Sequence, residues 1–318
     1  MRLSQLVGPR TSEVVELPDP VPAADQVLVE VLACGVCTSD LSAWRDHDPA
    51  SAPLRLGHEI AGRVVAVGNQ ATQWSVGDLV TGLGGEGFAS LSVMDAAALL
   101  PVPAGIEPAH AFGEPVAVLE EALSRSPVTA GGRVAVVGLG FMGLGLLQLA
   151  KRHAPGLILG VDPDPTRRTR ALSHGADVVF APDELPAEYV GESGRAADAR
   201  FDLVLEATGV TPGLATAGRL VRPFGTLNVV GYHHAGDAKM DMDLWYKGVT
   251  VVNGFCPDRT RTIAAMAVTL DLIAQRRFSY AQLVTHRYAL DQIDQAFADM
   301  EAAGPDFVKG VVVSRPRG

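Results

Sequence analysis

Beyond residue 130 the apolar positions come in short unbroken runs, and helix-like stretches separate them. "RVAVVGLG" (133–140) is apolar without alternation and ends in glycines, which predicts a strand buried on both faces. "FMGLGLLQLAKRH" (141–153) then reads as a helix, "LILGVD" (157–162) as a second buried strand, and "PTRRTRALSHG" (165–175) as a second helix. "DVVF", "DLVLEATG", "TLNVVGY" and "VTVVNGF" continue the series, with helical "GLATAGRLV" (213–221) among them. Strand and helix alternating in this way predict a doubly wound parallel α/β sheet.

The first third is patterned differently. "VLVEVLAC" (27–34) and "IAGRVVAV" (60–67) alternate imperfectly, and turn pairs such as Gly68-Asn69 and Gly77-Asp78 punctuate the region. We therefore expect a small β-rich domain over 1–115 and the parallel-sheet domain over 116–258. The segment 259–318, with helical "RTIAAMAVTLDLIAQRRF" and "DQIDQAFADMEA" and a terminal strand "KGVVVS", is expected to return and complete the first domain. The loop 181–200 is polar and rich in small residues and reads as a surface excursion.

Composition narrows the function classes. The 318 residues are 47% hydrophobic and 19% charged, a globular balance with room for two cores. The net charge of −10 comes from 26 basic and 36 acidic side chains, and no basic run offers a docking stripe for nucleic acid. No apolar stretch approaches the ~20 residues of a membrane helix, and the first twenty residues lack a signal-peptide core. The expectation is a soluble cytoplasmic protein without a nucleic-acid or membrane partner.

"GLGFMG" places Gly138, Gly140 and Gly143 in a G-x-G-x-x-G between a buried strand and a helix. In that context the first glycine makes a tight turn, the second admits a pyrophosphate, and the third lets helix and strand pack closely. The helix N-terminus adds free N–H groups and partial positive charge. Asp162 ends the next strand, about twenty residues on, where a carboxylate binds the adenosine ribose hydroxyls and repels a 2′-phosphate. NAD is thus expected over NADP, although Arg167 and Arg168 follow close behind.

The cysteines Cys34, Cys37 and Cys256 cannot build a disulfide framework, and "CGVC" has no second pair to make a structural zinc knuckle. A redox pair remains open on spacing alone. Cys37, His58 and one or two carboxylates from Glu59 and Glu114 do make a sulfur, nitrogen and oxygen set suited to zinc, scattered along the chain as catalytic sites are.

With "GVCTSD", "GHEIAGRVVAVG", the "EP" at 114–115, "GLGFMG", "EATG" and "KGVVV" in this order, the chain resembles the medium-chain zinc-dependent alcohol and polyol dehydrogenases over nearly its whole length. The resemblance implies a GroES-like catalytic domain beside the Rossmann domain, with the site in the cleft between them. It implies that Cys37 and His58 bind zinc, that Glu114 is the third ligand of polyol-type members, and that Glu59 lies behind the metal or enters its shell. By the same resemblance Ser39 binds the substrate oxygen and starts the proton relay, Asp40 supports His58, and Lys309 lies near the cofactor phosphates. Cys34 is then a packing residue.

Two departures accompany the likeness. The interval 78–88, where the family carries its structural-zinc cysteines, has none. Ser42 stands where many members have a relay histidine, with His47 nearby. The expected reaction is hydride transfer between NAD(H) and a secondary alcohol or polyol, or the matching ketone. A zinc-free reductase of enones or quinones and a non-enzymatic dinucleotide-binding protein are the alternative readings. Trp44, His47, Tyr232, His233, His234 and Trp245 are the polar-aromatic candidates for a pocket wall, but each is more often a core or surface residue than a substrate contact, and none is taken as a site. "VTVVNGF" resembles the strand through which members pair, so a homodimer is expected.

Overall fold

The computed structural model describes residues 1–190, 199–233, 236 and 239–314. Along the chain the elements are β1 (Arg2–Gly8), β2 (Thr11–Glu16), β3 (Gln26–Gly35), α1 (Leu41–Asp46), β4 (Glu59–Val67), β5 (Leu79–Leu83), β6 (Leu91–Asp95), β7 (Leu99–Pro101) and α2 (Gly113–Ser124). The alternating part follows: β8 (Arg133–Val137), α3 (Phe141–Lys151), β9 (Leu157–Val161), α4 (Pro165–Ser173), β10 (Val178–Phe180), α5 (Ala187–Val190), β11 (Phe201–Glu206), α6 (Thr211–Leu220), β12 (Val221–Val229), α7 (Asp243–Tyr246) and β13 (Thr250–Asn253). The chain ends with α8 (Arg259–Ala274), β14 (Val284–Tyr288), α9 (Ile293–Ala302) and β15 (Lys309–Val313).

Two compact units result. One joins Met1–Ala117 to Thr262–Gly318, and the other is Val118–Arg261. Their boundaries fall inside α2 and α8.

In the first unit β3 explains why its sequence alternates poorly. Its neighbours are β15 and β4 in the order β14-β15-β3-β4-β5-β7, and β6 pairs with it too, so nearly every residue of "QVLVEVLACG" is covered. The β1–β2 hairpin turns at Gly8-Pro9 and is closed by Arg10 at φ 55. The core gathers Leu6, Val29, Ile60, Phe88, Phe297 and Val312. Trp44 belongs to it, at 2% exposure, with its ring stacked 5.5 Å from Phe297 and its Nε1–H donated to Asp294 at 2.8 Å. It is a core residue and lines no pocket wall.

In the second unit the strands run in the order β10-β9-β8-β11-β12-β13, every neighbouring pair parallel. The central strands β8 and β9 are buried on both faces, as their unbroken apolar runs require. The edge strand β13 is largely exposed. Helix α4 starts where Asp164 accepts from the backbone N–H groups of Thr166 and Arg167, with Pro165 in the first turn. Part of the expected surface excursion packs inward: Tyr189 of α5 meets Phe201 edge-on at 5.2 Å, and Leu185 and Val190 cover the same core. The remainder, 191–198, lies outside the described residues, as does His234. Among the described residues no helix is long and apolar enough to cross a membrane.

Candidate active site

The antiparallel ladder of β3 and β4 builds the first constellation. It sets Gly35 opposite Glu59 and Cys34 opposite Ile60, so the chain leaving β3 at Cys37 passes the chain entering β4 at His58. Donor atoms of Cys37, His58 and Glu59 all lie within 4.8 Å of one another. Ser39 follows in the short 3-10 turn Thr38–Asp40, exposed, with its hydroxyl donating to Cys37 Sγ at 3.3 Å.

Asp40 is buried, with Oδ1 3.5 Å from His58 Nδ1. Burial pulls the His58 imidazolium toward losing its proton, but Asp40 and Cys37 outweigh it and raise His58 to about 11. Cys34 is fully buried on β3 and belongs to the core.

Glu59 is buried to 1% exposure, and its two oxygens have different surroundings. Oε1 accepts from Lys309 Nζ at 2.6 Å, while Oε2 is buried and has no hydrogen-bond partner among the described residues. A side chain at position 35 would collide with this carboxylate, because a Cβ on Gly35 would sit 1.8 Å from Glu59 Oε2. An unpartnered buried carboxylate oxygen beside a thiol and an imidazole is costly unless a cation takes it. Sulfur, nitrogen and oxygen donors of this kind fit zinc.

Glu114, in the first turn of α2, does not join the three at that spacing. Burial, and then the charge of Glu59, raise its carboxyl to about 7 against the opposing pull of His58 and Lys309. Lys309 is 5% exposed, and its ammonium pairs with Glu59 Oε1 within β15's own unit. Nothing in the local sequence announces that pairing, since the partners are 250 positions apart.

The second constellation lies at the C-terminal ends of β8 and β9. Gly138 has φ 93, closed to most side chains, and a Cβ on Gly143 would lie 1.8 Å from Gly138's carbonyl oxygen. Gly140 caps α3 and would meet nothing within 4 Å if it had a Cβ. The turn therefore leaves open space where a pyrophosphate approaches a helix N-terminus.

Asp162 is buried, its Oδ2 accepting from Leu139 N–H at 2.8 Å and its Oδ1 from Asp164 N–H at 2.9 Å. One carboxylate thus holds the glycine turn and its own loop together, with lone pairs to spare for a diol. Arg168 is spent on the same loop, donating to the carbonyls of Asp162 and Pro163, each at 2.8 Å. Arg167 lies 4.0 Å from Asp164 Oδ2. These residues fit the adenosine and pyrophosphate portions of a dinucleotide.

Comparison with known proteins matches both parts of the chain to dehydrogenase domains. Residues 23–104 match the alcohol dehydrogenase GroES-like domain and residues 141–271 the zinc-binding dehydrogenase domain. The chain is 29% identical to sorbitol dehydrogenase of Halalkalibacterium halodurans, over 89% of this chain and 91% of that protein. It is 32% identical to a protein of Mycobacterium tuberculosis described as a probable zinc-binding alcohol dehydrogenase, over 73% and 68% of the two. Alcohol dehydrogenase of Thermus sp. ATN1 superposes with a TM-score of 0.85 at 25% identity, covering 99% of this chain and 100% of that one. With a GroES-like domain followed by a zinc-binding dehydrogenase domain and relatives of the same kind, the chain belongs to the medium-chain zinc-dependent dehydrogenases.

Proposed function

We propose that the protein transfers hydride between NAD(H) and a secondary alcohol or polyol, or the matching ketone, with one zinc in the first unit. The observation that carries this reading is the clustering of Cys37, His58 and Glu59 donors within 4.8 Å in a chain that also has the glycine turn and Asp162. Sorbitol dehydrogenase among the relatives supports the polyol branch.

Cys37 and His58 would hold the metal, with Glu59 Oε2 or Glu114 as the carboxylate ligand. Zinc in such a set supplies a Lewis acid that lowers the pKa of a substrate hydroxyl toward neutrality. Ser39 Oγ, exposed beside Cys37, takes the hydroxyl proton and passes it on, because a hydroxyl accepts and donates at once. Asp40 fixes the His58 ring through Nδ1. Asp162 would bind the ribose diol and disfavour a 2′-phosphate, so NAD is the preferred dinucleotide, and bound there it would supply the hydride acceptor for oxidation of the alcohol to a ketone.

Metal content by mass spectrometry, paired with a screen of NAD reduction over polyols and secondary alcohols, tests the reading. About one zinc per chain with turnover is expected, and Cys37→Ala should lose both while still binding NADH. A metal-free protein that reduces enones would replace this reading with the zinc-free one.

The same reading includes assembly. The edge of β13 is open, with Val251 and the following Phe255 exposed, and a second copy is the proposed partner. Light scattering after size exclusion should give twice the chain mass; monomer alone would remove the dimer.

A further inference from the structure

The dinucleotide crevice contains a buried acid–imidazole pair outside the glycine motif. Glu206 ends β11 and is fully buried. Its Oε1 accepts from Thr208 N–H at 2.7 Å, from Gly209 N–H at 3.1 Å and from the Thr208 hydroxyl. Its Oε2 faces His233 Nε2 at 3.2 Å, and the histidine side chain is only 11% exposed. Glu206's own carbonyl accepts from the N–H groups of Val230 and Gly231, both at 2.8 Å. One residue thus ties the turn after β11 to the turn after β12.

Those turns lie where the second half of a dinucleotide must run. Asp162 at the end of β9 marks the adenosine ribose, and the glycine turn after β8 marks the pyrophosphate. The strand order β9-β8-β11-β12 then carries the remaining half over β11 and β12. A ligand in an open parallel sheet binds outside these carboxyl ends. A carboxylate can only accept, so it draws the proton of the imidazole to Nε2 and leaves Nδ1 as an acceptor. An acceptor at that place complements the carboxamide N–H groups of nicotinamide.

We infer that His233 receives the nicotinamide half of the dinucleotide and that Glu206 is the positioning residue that fixes its ring and tautomer. The inference rests on the dinucleotide reading above and adds a site that the glycine motif does not contain.

Binding titrations separate the two halves of the cofactor. NADH and ADP-ribose, which lacks nicotinamide, are titrated by calorimetry against the zinc-loaded protein and its variants. His233→Ala should bind NADH about tenfold more weakly while ADP-ribose changes less than about twofold. His233→Gln, which can still donate to Glu206 and offer an acceptor, should recover part of the loss. Glu206→Gln keeps an acceptor for the Thr208 turn but presents an amide to His233, and it should copy the His233→Ala pattern. Equal losses for both ligands, or no loss in either His233 variant, would overturn the inference and leave the dinucleotide reading standing. A parent protein that binds neither ligand would overturn both.

Discussion

Lys309 Nζ lies 2.6 Å from Glu59 Oε1, and both side chains are buried, so the last strand of the first unit places its charge on a carboxylate of the candidate metal set. Removing water from two such charges costs several kcal/mol each, and their attraction offsets this only while both are present. Deleting one partner is therefore worse than never having had the pair.

Lys309→Met should destabilise the metal-free protein by about 3 kcal/mol, because Glu59 is left charged and buried. Zinc should shrink that loss, since its charge takes over from the ammonium. Urea unfolding with and without zinc measures both numbers. An equal loss in the two states would separate Lys309 from the metal set.

Zinc binding should release protons. His58, raised to about 11 by Asp40 and Cys37 against its burial, carries a proton at neutral pH in the metal-free chain. Glu114, raised to about 7, is partly protonated there as well. Ligands must be deprotonated to bind, so zinc affinity should rise with pH across the neutral range. Calorimetry in buffers of different ionisation enthalpy reads the release directly; a heat independent of buffer would contradict it.

Asp162→Asn should weaken NAD by about tenfold and narrow its advantage over NADP, since a charged acceptor for the ribose diol is lost. The amide oxygen can still accept from Leu139 N–H, so the glycine turn should survive, while the amide nitrogen cannot accept from Asp164 N–H, so the loop after β9 should loosen. Fluorescence titration with NADH and NADPH gives the ratio. An unchanged ratio would place cofactor choice elsewhere.

Asp294 accepts from Ser12 N–H at 2.8 Å, from the Ser12 hydroxyl at 2.7 Å and from Trp44 Nε1–H at 2.8 Å. It thereby fastens α1, which follows the Cys37–Asp40 turn, to β2 and α9. Asp294→Ala strands these donors and should cost about 2 kcal/mol. Thermal unfolding checks the loss, and an unchanged melting temperature would deny Asp294 that role.

Much of the second unit was legible in the sequence because a strand buried on both faces must be apolar without interruption. "RVAVV" and "LILGV" could hardly be anything else, and the glycines after the first mark a turn whose geometry follows from sterics. The first unit was harder to read. β3 is covered by several neighbours, so the period-two signal that normally betrays a strand is blurred. The partners of Trp44 and Lys309 were not legible either: the indole N–H donates to Asp294 inside the core, and the ammonium pairs with Glu59. Such pairings join residues far apart in sequence, and no local period records them. Gly35 is the same kind of case: its need to be small comes from the carboxylate across the ladder. The Glu206–His233 pair was equally hidden, since "EATG" and "GYH" lie on different strands' ends.

The interrupted first unit has a consequence for the order in which the protein can assemble during synthesis. Cys37, His58 and Glu59 leave the ribosome early, yet β15, which pairs with β3 and brings Lys309, is made only after all of Val118–Arg261. For that interval the Ala33–Gly35 end of β3 lacks its β15 partner and Glu59 lacks its cation, while the contiguous dinucleotide unit can close on its own. The nascent metal set is thus incomplete until the far end of the chain returns to it. A ribosome-bound chain stopped at Arg261 should therefore protect the parallel sheet from protease while leaving the stretch from Ala33 to Cys37, at the end of β3, open to cleavage.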